Sequence, residues 1–144
     1  MLSISQIQYL MPPSDSAYRE FIRSAPVVAD ITEIAGDAPA RLMWLGQYRP
    51  GKKVLLYFHG GAYVMPLTQE HLMYCEYVRG IVGREELAVA VLEYENSPHK
   101  RYPYQLMQAS AVLAHLLASG VNPEDVPPLP RPHRVCERMG IADR

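Results

Sequence analysis

Cysteine is scarce in this chain of 144 residues, which contains only Cys75 and Cys136. Two cysteines so far apart have neither the spacing of a metal site nor the number needed for a disulfide framework. We therefore expect two thiols in a reducing compartment, and we expect no metal and no other cofactor.

Excess charge and long apolar runs are also missing. The 14 Lys and Arg residues nearly balance 15 Asp and Glu residues, and the absence of a basic excess argues against a nucleic-acid binder. The longest apolar runs, such as Val54–Phe58 and Leu87–Leu92, are far shorter than the ~20 residues of a membrane span. The amino terminus lacks the basic start and apolar stretch of a signal peptide. We expect no membrane span and a cytoplasmic location.

Proline, in contrast, is abundant, with 13 residues where a typical composition of ~5% predicts about seven. The run Pro127–Pro132 disfavours both a strand ladder and a helix interior. We therefore divide the chain into an N-terminal helical segment (1–26), a folded domain (27–126) and a proline-rich tail (127–144) that we expect to be irregular and disordered. The P-x-x-P spacing of Pro127–Pro130 is compatible with docking in an aromatic groove, although such spacing also arises by chance.

Two runs that are apolar on both faces, Lys53–Phe58 and Leu87–Leu92, predict central strands of a sheet covered by helices on both sides. A helix predicted over Thr68–Val82, with Thr68 as its N-cap, makes this a βαβ unit. The remaining predicted elements are strands at Val27–Ile34 and Arg41–Tyr48 and helices at Ser14–Ser24 and Pro103–Ser119. The fold class we expect is α/β, with about four strands in a mixed sheet and flanking helices.

Apolar spacing also predicts which helix faces are buried. The predicted buried residues of the first βαβ helix are Leu72, Cys75, Val78 and Val82. Those of the last helix are Leu106, Ala109, Leu113, Leu116 and Leu117.

The segment whose residues could take part in catalysis is His59-Gly60-Gly61-Ala62-Tyr63, directly after the first apolar strand. Two glycines allow the backbone to turn sharply and leave N–H groups exposed, and such groups can stabilise a developing oxyanion. The simpler interpretation is a tight strand-to-loop turn with an incidental histidine. Its place after a strand and before a helix favours the functional interpretation.

The segment Val54–Tyr63 resembles the HGGG-type oxyanion loop of α/β-hydrolases, in the hormone-sensitive-lipase-like branch of esterases and lipases. Leu87–Tyr94 is similar to the next strand of that family. Ser97–Pro103 is similar to the loop that follows, although Glu95–His99 replaces the usual Arg-Leu-Ala-Pro-Glu run. The resemblance covers roughly residues 27–126 and implies the N-terminal half of a carboxylic ester hydrolase acting on a small-molecule ester.

The resemblance also implies residue roles. Gly61 and Ala62 would offer the N–H groups of an oxyanion hole, and Gly60 would permit the turn. His59 would hold the loop by hydrogen bonding rather than act as a base. Tyr63 is a possible substrate-lining residue.

The catalytic residues of that family are not found here. Its next strand ends in a Gly-x-Ser-x-Gly elbow that presents the nucleophile, and the Asp or Glu and the His follow. This chain contains no Gly-x-Ser-x-Gly, and no serine follows Val126. We therefore expect a truncated chain that is catalytically incompetent alone, a pseudoenzyme with an oxyanion loop. A shifted reading frame, altered splicing or an early stop would explain the abrupt change at Val126.

The resemblance further implies that the elbow strand would flank Val54–Phe58. Without that strand, Val54–Phe58 becomes an open sheet edge, which favours aggregation or pairing with another chain. We expect self-association or pairing with another hydrolase chain. The alternative function is a non-enzymatic remnant that binds a partner through this edge.

Other candidate sites carry less weight. Gly46–Lys53 nearly matches a phosphate-binding loop, but Lys53 replaces its Ser or Thr and a strand follows instead of a helix. This segment therefore predicts a hairpin turn with two solvated lysines. Cys75 is expected to be buried and inert. Without a nucleophile to activate, no catalytic role is assigned to the histidines, namely His71, His99, His115 and His133.

Overall fold

The computed structural model of this chain describes residues 3–126. The proline-rich tail lies outside the described residues, and so do the disorder and the P-x-x-P docking segment that were predicted for it. In chain order, the elements are α1 (Ile4–Tyr9), α2 (Ser14–Ser24), β1 (Ala29–Ile34), β2 (Ala40–Leu45), β3 (Lys53–Phe58), α3 (Gln69–Val82), β4 (Leu87–Glu93), α4 (Tyr104–Ala118) and a 3-10 turn (Pro123–Asp125).

The four strands form one mixed sheet in the order β1-β2-β4-β3. β2 is antiparallel to both β1 and β4, whereas β3 and β4 are parallel and joined through α3. Residues Leu87–Leu92 of β4 are all buried, as expected for a central strand with a covered face on each side. The predicted mixed α/β sheet of about four strands is confirmed.

The connection between β2 and β3 corrects one prediction. β4 lies between these two strands, so the segment that joins them is not a hairpin. The predicted turn itself is present, because Lys52 N donates to Arg49 O at 3.0 Å and Gly51 has a φ of +85°. Lys52 is buried rather than solvated, and its Nζ donates to the Gln47 carbonyl at 3.1 Å.

Helices cover both faces of the sheet. Side chains alternate between the two faces along each strand, so strands that are apolar throughout present an apolar surface on each face. Leu55 of β3 packs in a cluster with residues of α2 and α3, including Tyr18 and Leu72. Val54 packs in the opposite cluster with Val112 of α4. None of the helices in residues 3–126 has the length and apolar character needed to cross a membrane.

The predicted buried face of α4 is only partly correct. Leu116 is buried as predicted, and the partly buried Ala109 packs against the core, but the other three leucines are exposed. Leu106, Leu113 and Leu117 are 54%, 42% and 40% exposed. The buried residues of α4 are Gln105, Gln108, Val112 and Leu116. Two glutamines can occupy the inner face because their amide groups bond to backbone groups of nearby segments.

α3 shows a smaller difference of the same kind. Leu72, Cys75 and Val78 are buried as predicted, but Val82 is exposed and Arg79 is buried instead. The Arg79 guanidinium pairs with Glu76 and donates to a backbone carbonyl of β4, so its charge is compensated inside the protein.

α1 is a second helix within the predicted N-terminal helical segment (1–26), where the sequence predicted a helix only at Ser14–Ser24. It begins with a capping box, in which Gln6 N donates to Ser3 Oγ at 3.3 Å and Ser3 N donates to Gln6 Oε1 at 2.8 Å. The Ser-x-x-Gln pattern was the available signal for this helix start. α2 has the predicted bounds, Ser14–Ser24.

Candidate active site

The His-Gly-Gly loop lies at the carboxyl end of β3, where the backbone reverses through three residues with positive φ. These angles are +115° at Gly61, +53° at Ala62 and +59° at Tyr63. Val64 N and Met65 N close the turn by donating to the Gly61 carbonyl at 2.9 and 3.0 Å. A Cβ at Gly61 would lie 2.6 Å from Met65 Cβ, so this turn requires glycine at that position.

The backbone N–H groups of Gly60, Gly61 and Ala62 in this loop have no hydrogen-bond acceptor within residues 3–126. All three residues are exposed. Exposed donors held on a tight turn can bind an anionic or partially charged oxygen.

His59 is buried beneath this loop. Its ring stacks on Tyr94 with 4.1 Å between centroids and 8° between planes. His59 Nδ1 lies 2.9 Å from the Gly60 carbonyl oxygen, and the Tyr94 hydroxyl donates to the His59 carbonyl at 2.8 Å. Burial lowers the pKa of His59 to about 4, so the ring is neutral at pH 7. Its stacking on Tyr94 connects the loop to the residue that directly follows β4.

His71 in the first turn of α3 also contacts this region. Its Nδ1 accepts a hydrogen bond from Thr68 N at 3.2 Å, in agreement with the predicted N-cap at Thr68. The His71 ring is 5.6 Å from the His59 ring, and burial lowers the pKa of His71. Sequence reasoning assigned His71 no role, although a residue three positions after an N-cap often bonds back to the cap.

A second loop, residues 94–100 after β4, lies against the first. Ser97 N donates to the Tyr63 carbonyl at 2.7 Å, and the Tyr63 and Tyr94 rings meet edge to face at 5.5 Å. The Tyr63 side chain is 47% exposed, so it can contact a bound molecule.

Two buried glutamines of α4 hold this second loop. Gln105 Nε2 donates to Glu95 O at 2.7 Å and to Lys100 O at 3.0 Å. Gln108 Oε1 accepts from Glu95 N at 2.9 Å, and its Nε2 donates to Pro39 O at 2.6 Å. Neither glutamine was found from the sequence, because a polar residue in an amphipathic helix is normally assigned to the exposed face.

A cleft of about 560 Å³ lies beside the second loop, with Tyr94, Asn96 and His99 among its lining residues. Residues 59–63 do not line it. Glu33, Arg41 and Glu93 form one of its walls, and their positions follow from the register of β1, β2 and β4.

Arg41 in this wall binds three carboxylates, those of Asp15, Glu33 and Glu93, at 2.8 to 3.0 Å. Burial raises the pKa of the Glu93 carboxyl, whereas hydrogen bonds from Arg19 and Arg41 lower the pKa of Asp15. Within residues 3–126, no group of three His, Cys, Asp or Glu side chains is arranged to hold a metal ion.

The remaining candidates from the sequence lie on helices α3 and α4 or outside the described residues. Cys75 is fully buried, and burial raises the pKa of its thiol to about 12, which leaves no thiolate for chemistry. His115 is half-buried on α4. His133 and Cys136 lie outside the described residues.

The His115 Nε2 atom is 3.5 Å from Ser119 Oγ, but that hydroxyl donates to the His115 carbonyl at 2.8 Å. The contact is therefore a helix-end hydrogen bond and does not form an activated nucleophile.

A family model described as alpha/beta hydrolase fold matches residues 55–128, which is half of the chain. No curated protein matches the chain in sequence.

Solved structures of esterases share the fold. The Pyrobaculum calidifontis esterase superposes with a TM-score of 0.62 at 17% identity, covering 87% of this chain and 40% of the esterase. EstE1, a thermophilic carboxylesterase from a metagenomic library, gives 0.62 at 18% identity, covering 87% and 42%. An esterase from the bacterial hormone-sensitive lipase family gives 0.58 at 22% identity, covering 88% and 40%. The chain thus spans about two fifths of the length of these esterases.

Proposed function

Since this chain belongs to the α/β hydrolase fold family, we propose that it forms the oxyanion-loop half of a carboxylic ester hydrolase. The N–H groups of Gly61 and Ala62 stabilise the oxyanion that forms when the ester carbonyl is attacked. The observation that carries this proposal is that these N–H groups, after the end of a buried parallel strand, belong to exposed residues and have no acceptor within residues 3–126. The substrate is a small-molecule ester.

The neighbouring residues have supporting roles in this proposal. Gly60 allows the chain to leave β3 and enter the turn. The neutral His59 ring stacks on Tyr94 and bonds to the loop backbone, so it supports the loop instead of accepting a proton. The exposed Tyr63 ring contacts the bound ester.

We further propose that the 144 residues do not hydrolyse esters as a single chain. Acyl transfer needs an activated nucleophile as well as an oxyanion hole. The chain contains no Gly-x-Ser-x-Gly. Within residues 3–126, the Ser119–His115 contact described above does not activate a hydroxyl.

The test measures hydrolysis of short-chain p-nitrophenyl esters. We expect no rate above background from the chain alone. Hydrolysis should appear when a second chain supplies the elbow serine, the acid and the histidine of an α/β hydrolase. That restored rate should be lost in Gly61→Pro and kept in Gly51→Ala, a glycine in a distant turn. A robust rate from the single chain that Gly61→Pro abolishes would contradict catalytic incompetence.

A second candidate function is favoured by the position of β3. Within residues 3–126, β3 pairs with β4 alone, so its other side can accept a strand from another chain. In this alternative the chain is a non-enzymatic binding partner of a hydrolase. Copurification with a full-length hydrolase, without any restored esterase activity in mixtures of the two half chains, would favour it.

A further inference from the structure

The oxyanion loop has a backbone conformation that must be held by its surroundings. Ala62 and Tyr63 both have positive φ, which residues other than glycine adopt rarely. Such conformations persist only where neighbouring contacts determine them. Within the loop itself, the hydrogen bonds from Val64 and Met65 to the Gly61 carbonyl contribute. Contacts from residues outside the loop also hold this conformation.

The contact that reaches the loop from farthest away in sequence comes from Gln8 of α1. Gln8 Nε2 donates to the Val64 carbonyl at 2.6 Å and to the Ser97 carbonyl at 2.6 Å. An amide nitrogen has two hydrogens, so one side chain bonds to both loops at once. The same two loops are joined directly by the hydrogen bond from Ser97 N to Tyr63 O.

α1 has little else to hold it in place. It contains no buried residue, and Gln8 makes the hydrogen bonds that join α1 to other elements within residues 3–126. A second N-terminal contact lies nearby, where Leu67 N donates to Ser14 Oγ at 3.0 Å in a buried position. The segment before β1 therefore reaches the oxyanion loop at Val64 and just beyond it at Leu67.

We propose that Gln8 is a positioning residue that fixes the oxyanion loop against the loop after β4. Its two hydrogen bonds set the distance between the Val64 and Ser97 carbonyls and so hold the turn at Gly61–Tyr63. This inference rests on the proposed function for its catalytic meaning, but its structural content is independent of any ester.

The test is amide hydrogen exchange of the full chain, read at single residues by mass spectrometry. The reporters are the N–H groups of Val64, Met65 and Ser97, each of which donates within or between the two loops. The N–H groups of β4 serve as the internal reference for global folding.

Three variants separate the possible causes. Gln8→Glu keeps the size of the side chain but removes its donors at neutral pH, whereas Gln8→Lys keeps donors. Ser5→Ala alters an exposed residue of the same helix. We expect roughly ten- to hundredfold faster exchange at the three reporters in Gln8→Glu, partial rescue in Gln8→Lys, and no change in Ser5→Ala or in β4.

Each other result contradicts the proposal. Unchanged reporters in Gln8→Glu would show that the bonds do not hold the loops. Equal effects of Gln8→Glu and Gln8→Lys would show that packing matters instead of donation. Loss of β4 protection would show that Gln8 supports the whole fold and not the loops alone. Because no ester is present, none of these results bears on the proposed hydrolase function, which the activity assay tests separately.

Discussion

Gly61 is the position at which one added methyl group should do most damage to the loop. Its φ of +115° disfavours any side chain, and a Cβ there would lie 2.6 Å from Met65 Cβ. We predict that Gly61→Ala lowers the free energy of unfolding by about 2 kcal/mol, from backbone strain and the clash together. Urea denaturation measures this change.

Two other glycines are matched controls for this prediction. A Cβ at Gly60 has His71 Nε2 as its nearest neighbour at 3.9 Å, and the φ of Gly60 lies outside the left-handed range. Gly51 has a φ of +85° but open space around it. Gly60→Ala should therefore be nearly neutral, and Gly51→Ala should cost about 1 kcal/mol. Equal costs at Gly60 and Gly61 would show that the turn does not have the described geometry.

His59 should make the folding stability of the chain depend on pH below about 6.5. Its pKa is about 4 in the folded chain and about 6.5 when unfolded, so the unfolded chain binds a proton first as the pH falls. Stability is therefore complete above pH 6.5 and decreases progressively towards pH 4. We predict that His59→Gln removes up to about 3 kcal/mol of the stability loss between pH 7 and pH 4.

The measurement is urea denaturation of both proteins across that pH range, and NMR of the His59 ring gives an independent check. The ring signals should stay in the neutral form until the pH approaches 4. Parallel stability curves for the two proteins, or a ring that titrates near 6.5, would disprove the buried neutral histidine.

In α4, the face that is buried in the structure differs from the face that the apolar pattern of the sequence predicts, and substitutions can distinguish the two. Gln108 is buried and bonds to Pro39 O and Glu95 N, whereas Leu113 is 42% exposed. We predict that Gln108→Met costs about 2 kcal/mol because it leaves these two backbone groups without their partner. Leu113→Gln should change stability by less than about 0.5 kcal/mol. Denaturant unfolding of the two variants measures how much unfolding free energy each one loses. A larger loss in Leu113→Gln than in Gln108→Met would indicate that Leu113, and not Gln108, is buried.

The elements that could be predicted from the sequence are those whose pattern needs no tertiary information. Lys53–Phe58 and Leu87–Leu92 are apolar on both faces, and a covered parallel pair is the structure that buries such strands. The inner face of α4 could not be predicted in this way. Hydropathy assigns its leucines to the core, but backbone groups at Pro39 and Glu95 need polar partners, and glutamines provide them.

In the candidate site, too, the local features could be predicted from the sequence and the tertiary contacts could not. The glycines after β3 could be predicted to form an exposed turn because their backbone freedom is a local property. The contacts that hold this turn involve residues distant in sequence, such as Gln8 with Ser97 and His59 with Tyr94. No local pattern indicates these pairs, and they become visible only when the strand order is known.

The whole molecule presents an edge and apolar surface that the described residues do not cover. Within residues 3–126, β3 has β4 as its single neighbour. The outer face of α3 carries the exposed Met73, Tyr77 and Ile81. The similar esterases are more than twice as long as this chain. We infer that an isolated chain associates with copies of itself, mainly through β3, because an unpaired strand is a template for further pairing.

Phe58 at the end of β3 provides the test of this association. It is 41% exposed, so Phe58→Lys should leave folding intact and place a charge on the edge. We predict that the substitution weakens self-association by about tenfold in the dissociation constant, as measured by sedimentation velocity at increasing concentrations. Leu113→Lys puts the same charge on an equally exposed apolar site of α4 and is the control. A larger effect at Leu113 would place the association on the helices, and a monomeric wild-type chain at all concentrations would show that the β3 edge does not pair.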